Sequence, residues 1–293
     1  MTTALSLEQF WYSPARQLLV YPSGNQDMLS HRWAELQTCG IDAIYAYGPE
    51  TLADFAILGS GYCGVVLRVR HQGCDRVLKI LREPAPQPNL STEATMLKRA
   101  NAVGVGPKYL AHSDHFLLMD YIEGPMLVDW LQASQSAESI HRVVFQLIHQ
   151  AYRLDQAGLD HGDLRCITAH ALVQPTGPVL IDFSGASLDR RPANITTLVQ
   201  GLFISTHIAK LLRPWFPNVN KSELIEHLRR YKQQPSSKYL GQLLQYLELG
   251  QVSYTIRFLP NARVMLLALL LKPNLVEWPE SLIVQFVTLL GGA

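Results

Sequence analysis

Asp163 and Asp182 stand on successive loops, in His161-Gly-Asp-Leu-Arg165 and Asp182-Phe-Ser-Gly185, with the apolar run Pro178-Val-Leu-Ile181 closing on the second. One carboxylate can accept a hydroxyl proton while the other ligates a phosphate-bound metal, which is the division of labour that phosphoryl transfer requires. That chemistry also needs a loop to cover phosphates and a cation to meet them. Gly59-Ser-Gly61-Tyr-Cys-Gly64 offers the loop and Lys79 the cation.

The elements that must position these residues follow from local pattern. The glycines run straight into the alternating Val66-Leu-Arg-Val-Arg70, and a second β-run, Asp75-Arg-Val-Leu-Lys79-Ile-Leu81, follows the turn His71-Gln-Gly-Cys74. The glycines therefore sit in a hairpin. A dinucleotide fingerprint needs them to open a helix, whereas a hairpin loop lets backbone N–H groups lie over a triphosphate with no Cβ atoms in the way. Pro84-Ala-Pro-Gln-Pro88 ends the sheet run, and a helix with a polar cap is expected from Asn89-Leu-Ser-Thr-Glu93 onward. Glu93, in its first turn, either complements the helix dipole or pairs with Lys79. Phe116-Leu-Leu-Met119 reads as a strand ending in the connector Asp120-Tyr-Ile-Glu-Gly124, and the pattern beyond it is mostly helical, so a lobe boundary is expected near residue 124.

In this order the elements resemble a protein-kinase-like fold: glycine loop, strand Lys, helix Glu, hinge, catalytic-loop Asp, metal Asp. The His-Gly-Asp form looks like the atypical branch of RIO-like, lipopolysaccharide-kinase-like and aminoglycoside-phosphotransferase-like enzymes. After Asp182 only Gly185-Ala-Ser-Leu-Asp-Arg-Arg-Pro192 precedes a new helical pattern near Ile195, so there is no Ala-Pro-Glu element and hardly any activation segment. The resemblance implies an α+β, two-lobed architecture, with a small antiparallel β-sheet lobe over 46–124 and a mainly helical lobe over 125–293. Residues 1–45 would be an extension packed on the small lobe. It further implies that Gly59, Gly61 and Gly64 cover the phosphates of ATP, that Lys79 contacts them and that Glu93 orients Lys79. Backbone groups of Asp120 and Ile122 would hydrogen-bond adenine, Asp163 would accept the substrate proton, and Asp182 would bind the metal. Arg165 is either a surface loop residue or the cation that steadies the transferring phosphate.

Two departures stand out. Where that family carries an Asn as second metal ligand this chain has Thr168, or, counted back from the strand Ala171-Leu-Val173, His170. His170 is the preferred equivalent. An imidazole suits Mn²⁺ better than Mg²⁺, which prefers oxygen ligands, and the plain alternative is a His that hydrogen-bonds the loop. Ser184 replaces the usual glycine of the metal loop, with Gly185 directly after it.

Composition adds bounds. With 293 residues, 48% of them hydrophobic, the chain can bury one large core or two lobes. A net charge of +1 from 25 basic and 24 acidic side chains provides no field for nucleic acid. Cys39, Cys63, Cys74 and Cys166 show neither metal nor disulfide spacing, as expected of reduced thiols in a cytoplasmic protein. The start, Met1-Thr-Thr-Ala-Leu-Ser-Leu-Glu8, does not read as a signal peptide. Val264-Met-Leu-Leu-Ala-Leu-Leu-Leu271 and Leu282-Ile-Val-Gln-Phe-Val-Thr-Leu-Leu290 are too short to span a bilayer and read as buried helices that could also contact a partner. The expected activity is an ATP- and Mg²⁺- or Mn²⁺-dependent kinase acting on a protein Ser/Thr hydroxyl or a small alcohol. The competing expectation is a pseudokinase scaffold that binds nucleotide without transfer.

Overall fold

The computed structural model describes residues 3–250 except 86, 134 and 205. The strands run β1 (Thr3–Leu5), β2 (Ile41–Ala46), β3 (Glu50–Leu52), β4 (Phe55–Ile57), β5 (Gly59–Ser60), β6 (Gly64–His71), β7 (Cys74–Leu81), β8 (Tyr109–His112), β9 (Phe116–Asp120), β10 (Ala171–Gln174) and β11 (Gly177–Leu180). The main sheet is antiparallel in the order β1-β2-β6-β7-β9-β8, with β5 paired to β6. Its central hairpin pairs Gly64 with Leu81 through to His71 with Cys74, and the two residues between, Gln72 and Gly73, have φ of 52° and 72°. Two successive left-handed residues match the right-handed twist of the flanking strands, which is why a glycine stands in the turn.

Side-chain alternation separates the two faces of this sheet. Val65, Leu67 and Val69 of β6, Leu78 and Ile80 of β7, and Phe116 and Leu118 of β9 share one core. Leu81 and Leu117 belong to the other core, as a period of two demands. The first face is covered by α1 (Leu7–Tyr12), a 3-10 turn over Pro14–Val20 and α2 (Gln26–Thr38), through Phe10, Leu18, Leu19, Leu29 and Leu36. The first 45 residues thus do more than pack on the small lobe. They supply two of its strands, with Thr3 opposite Ala46 and Ile44 opposite Val69. A three-residue strand carries no readable period, so only the pairing reveals it.

Arg32 ties α2 to the end of β7. Its side chain is 1% exposed, and its guanidinium donates to Leu19 O (2.6 Å), Leu81 O (2.5 Å) and Glu83 Oε2 (3.2 Å). Arg32→Met keeps most of the stem volume but strands two carbonyls and one carboxylate. A loss of about 3 kcal/mol is expected, read as a lower urea midpoint with unchanged slope.

The second face receives α3 (Ser91–Ala102), whose Ala94, Leu97 and Ala100 continue into the core of the helical part. That part comprises α4 (Leu127–Gln132), α5 (Ala137–Gln156), the β10–β11 hairpin, α6 (Asn194–Phe203), α7 (His207–Leu212), α8 (Lys221–Gln233) and α9 (Ser237–Tyr246). α5 buries Ile140, Val143, Val144, Leu147, Ile148, Ala151 and Leu154, a stripe of three- and four-residue steps. The fold is α+β, an antiparallel sheet beside a helical part. Among the described residues no single helix is long and apolar enough to cross a membrane. The apolar segments 264–271 and 282–290 lie outside the described residues.

Candidate active site

The period of β7 turns Lys79 away from the Leu78/Ile80 face and toward α3. There Lys79 Nζ meets Glu93 Oε1 at 2.7 Å and, from the loop after β11, Asp182 Oδ1 at 3.0 Å. Lys79 and Glu93 are 5% and 2% exposed. Of the two readings of Glu93, the ion pair is the one realised. The polar cap expected at this helix is displaced by one residue: the N-cap is Leu90, and Asn89 Oδ1 accepts from Ser91 N–H at 3.0 Å.

Burial alone would push the Lys79 ammonium down, but the two carboxylates overcome it and hold its pKa above the ordinary lysine value. Burial raises the Glu93 carboxyl, against the pull of Lys79. For Asp182 burial acts upward too, yet Lys79 and hydrogen bonds from Ser184 bring its carboxyl below the usual range. Its Oδ1 accepts from Ser184 N–H at 3.3 Å. Asp182 has φ 65°, a left-handed conformation uncommon for a residue with a Cβ. Unlike Gln72 it lies in no hairpin turn, and this backbone conformation sets its carboxylate against Lys79.

The glycine hairpin forms as expected, with Gly59 opposite Val66 and Gly61 N–H on Gly64 O at 2.9 Å. The three glycines differ in need. A Cβ on Gly64 would lie 2.8 Å from Ile80 O and 3.1 Å from Lys79 Cγ, whereas one on Gly61 would meet nothing within 4 Å. Gly64 therefore permits close approach to Lys79. Cys63 of the same loop lies beside Ser184, with Lys79, Glu93 and Asp182 in electrostatic reach. Net of these neighbours, burial raises its thiol above the ordinary value, so the thiolate is disfavoured there. All four cysteines are free thiols.

Asp120 ends β9. Its backbone N–H is committed to Lys108 O (2.9 Å) and its carboxylate to Arg76 Nη1 (2.7 Å). Any adenine contact from this residue therefore falls to its carbonyl. Ile122 follows in a connector without regular structure. Between them Tyr121 packs 4.6 Å from the Arg68 guanidinium, which also faces Tyr45 and Tyr47 and pairs with Asp75. Burial and Tyr47 push the Tyr121 phenol up to about 12.

The His-Gly-Asp segment leads into a 3-10 turn, Leu164–Ala169, with Asp163 directly before it. Asp163 is exposed, and its carboxylate lies so close to Gly185 that a Cβ there would collide with Oδ2. The glycine that follows Ser184 is thus required by the Asp163 carboxylate. Arg165 is exposed and makes no side-chain hydrogen bond or ion pair among the described residues. Thr168 is half-buried in the 3-10 turn, and His170 stands immediately before β10. His170 Nδ1 is 2.9 Å from Cys166 O. A carbonyl only accepts, so Nδ1 carries the proton and Nε2 keeps its lone pair.

His161 and Gly162 belong to the motif read from sequence, but the residues that hold them, Asp155, Asp160, Arg190 and Asn194, were given no role there. His161, fully buried, donates its N–H to Asn194 Oδ1 (2.8 Å) and Nε2–H to Ile181 O (3.2 Å). Asn194 in turn donates to Asp155 Oδ1 and Leu159 O, and Asp155 takes the first N–H groups of α6 and the Tyr231 hydroxyl. Arg190 bridges Asp160 Oδ2 (2.8 Å) and Gly185 O (2.5 Å). A Cβ on Gly162 would lie 2.5 Å from Gly185 O and 2.7 Å from Arg190 Nη2, so the glycine of His-Gly-Asp makes room for this bridge. For Asn194 and Arg190 the sequence signal was an Asn at the start of a helix and an Arg in a loop.

Burial, with His170 nearby, pushes the His161 pKa down to about 4. In the unfolded chain a histidine titrates near 6.5, so unfolded chains bind the extra proton between those values. The stabilising contribution of neutral His161 is full above about pH 6.5 and is lost progressively down to about pH 4, by about 3 kcal/mol. Urea midpoints measured over this range should fall less steeply for His161→Phe than for the wild type.

A buried Lys–Glu pair on sheet and helix, a carboxylate loop closing on the same Lys, and a second Asp on a His-Gly-Asp loop resemble the atypical protein-kinase-like arrangement. Residues 84–200 match the family model of the RIO domain, a span that contains Glu93, Asp120, Asp163 and Asp182 and begins after Lys79. The match supports an atypical kinase with an ATP-binding function. Among solved structures, the Rio2 kinase–ADP/Mg²⁺–phosphoaspartate complex from Chaetomium thermophilum is similar at 18% identity, covering 80% of this chain and 78% of that one, with a TM-score of 0.45. No curated protein matches the chain in sequence.

Proposed function

We propose that the chain binds ATP with a divalent metal in this cleft and transfers the γ-phosphoryl group to a hydroxyl, of a protein Ser or Thr first and of a small alcohol second. The supporting observation is the Lys79 ammonium shared between Glu93 and Asp182 under the glycine hairpin. Lys79 would contact the phosphates while Glu93 keeps it oriented. Asp163 would take the proton from the acceptor hydroxyl as the bond to phosphorus forms, and exposed Arg165 is free to neutralise the transferring group. The glycine loop would exclude water from above. Asp182 offers the oxygen donor that Mg²⁺ requires, and the tautomer of His170 leaves Nε2 able to ligate. The metal, when bound, would neutralise phosphate charge.

A scaffold that binds nucleotide without transfer is the second reading, favoured by Ser184 in the metal loop and by His170 in place of an oxygen ligand. Incubating the purified chain with labelled ATP, Mg²⁺ or Mn²⁺ and a panel of protein and small-alcohol acceptors decides between them. Labelled acceptor supports the kinase. ATP binding without transfer or hydrolysis in either metal supports the scaffold. If His170 ligates, transfer should favour Mn²⁺, and His170→Asn should move the preference toward Mg²⁺.

A further inference from the structure

His31, Glu35 and His115 take no part in the chemistry above. α2 places His31 and Glu35 one turn apart on the same face. The turn between β8 and β9 brings His115 to them: Glu35 Oε1 accepts its backbone N–H at 3.0 Å, and Glu35 Oε2 lies 2.6 Å from its Nδ1. The His31 ring stands edge-on to the His115 ring, with centroids 5.5 Å apart. One ligand atom from each of the three residues lies within 4.8 Å of the others.

We propose that this cluster is a transition-metal site, for Zn²⁺ first, separate from the metal of the nucleotide cleft. Glu35 Oε2 and His115 Nδ1 share one proton across 2.6 Å, and a divalent metal that displaces this proton to solvent would be held by the carboxylate oxygen and the ring nitrogen together. His31 is exposed and makes no hydrogen bond or ion pair among the described residues, so its nitrogens are uncommitted and its ring is free to adjust. Two imidazoles and one carboxylate, open to solvent at a fourth position, suit Zn²⁺. They do not suit Mg²⁺, which prefers oxygen ligands in an octahedron.

The position has a structural consequence. The turn that carries His115 also accepts Leu81 N–H on His115 O (2.9 Å) and Leu90 N–H on Asp114 O (2.9 Å). These bonds fix the end of the Lys79 strand and the start of the Glu93 helix. A metal joining α2 to this turn would clamp both.

The test uses the full, tag-free chain stripped with a chelator. Calorimetric titration with Zn²⁺ alone, in the wild type and in Asp182→Asn to remove the cleft ligand, should give one site of micromolar or tighter affinity in both. Because His31 is exposed, His31→Ala should fold as the wild type does and weaken that site by about 100-fold or more. Thermal unfolding should shift upward with Zn²⁺ in the wild type and not in His31→Ala. Co²⁺ in place of Zn²⁺ should give tetrahedral visible bands that the same variant loses. Zn²⁺ affinity only in the millimolar range, or affinity and thermal shift unchanged by His31→Ala, would overturn the proposal. In that case Glu35 serves to anchor the turn.

Discussion

Lys79→Met is expected to lower turnover by about 100-fold or more and to weaken nucleotide binding with it. The same change should destabilise the fold, because Glu93, 2% exposed, is left as a buried charge facing Asp182. Removing one partner of a buried pair costs about 3–5 kcal/mol. The two effects separate in a double variant. Lys79→Met with Glu93→Gln removes both buried charges, and it should regain much of the lost stability while remaining inactive. Calorimetric ATP titration and urea unfolding of the single and double variants check this. Wild-type affinity and turnover in Lys79→Met would remove the assignment of the cleft, and equal stability of the single and double variants would remove the account of the ion pair.

The two aspartates should fail differently. Asp163 is exposed, and its carboxylate packs beside Gly185. As the proton acceptor it matters in the transition state more than in the bound ground state. Asp163→Asn should leave ATP affinity near that of the wild type and lower turnover by about 10²- to 10⁴-fold. Asp182 is bound to Lys79 and held ionised by it. Asp182→Asn should therefore abolish the gain in nucleotide affinity that Mg²⁺ confers, and lower turnover as well. Titrations of ATP with and without Mg²⁺, paired with single-turnover kinetics, distinguish the variants. Loss of binding alone in both, or full turnover in either, would contradict the roles of Asp163 as proton acceptor and Asp182 as metal ligand.

The sequence by itself determined the order of the chemical parts and the hairpin that carries the first two. Alternation over residues 66–70, the β-run 75–81 and the turn at 71–74 are local properties, each written within a few neighbours, so the hairpin was legible while its register and the face of Lys79 came from the structure. The two aspartate loops were legible for the same reason, the second closed by the apolar run Pro178-Val-Leu-Ile181. Tertiary structure alone decided what those parts touch. Glu93 had two uses open to it, and its choice of Lys79 depends on α3 packing on the sheet. Lys79 reaches Asp182 across 103 residues, and no window of sequence encodes that approach. Nor could spacing show that Gly162 yields its side-chain volume to Arg190, that Gly185 yields its own to Asp163, or that Asn194 holds His161. Glycine and asparagine read as turn or cap residues on their own. The atoms that make them necessary come from segments joined only when the core closes, because close packing fixes distances that chain connectivity leaves free.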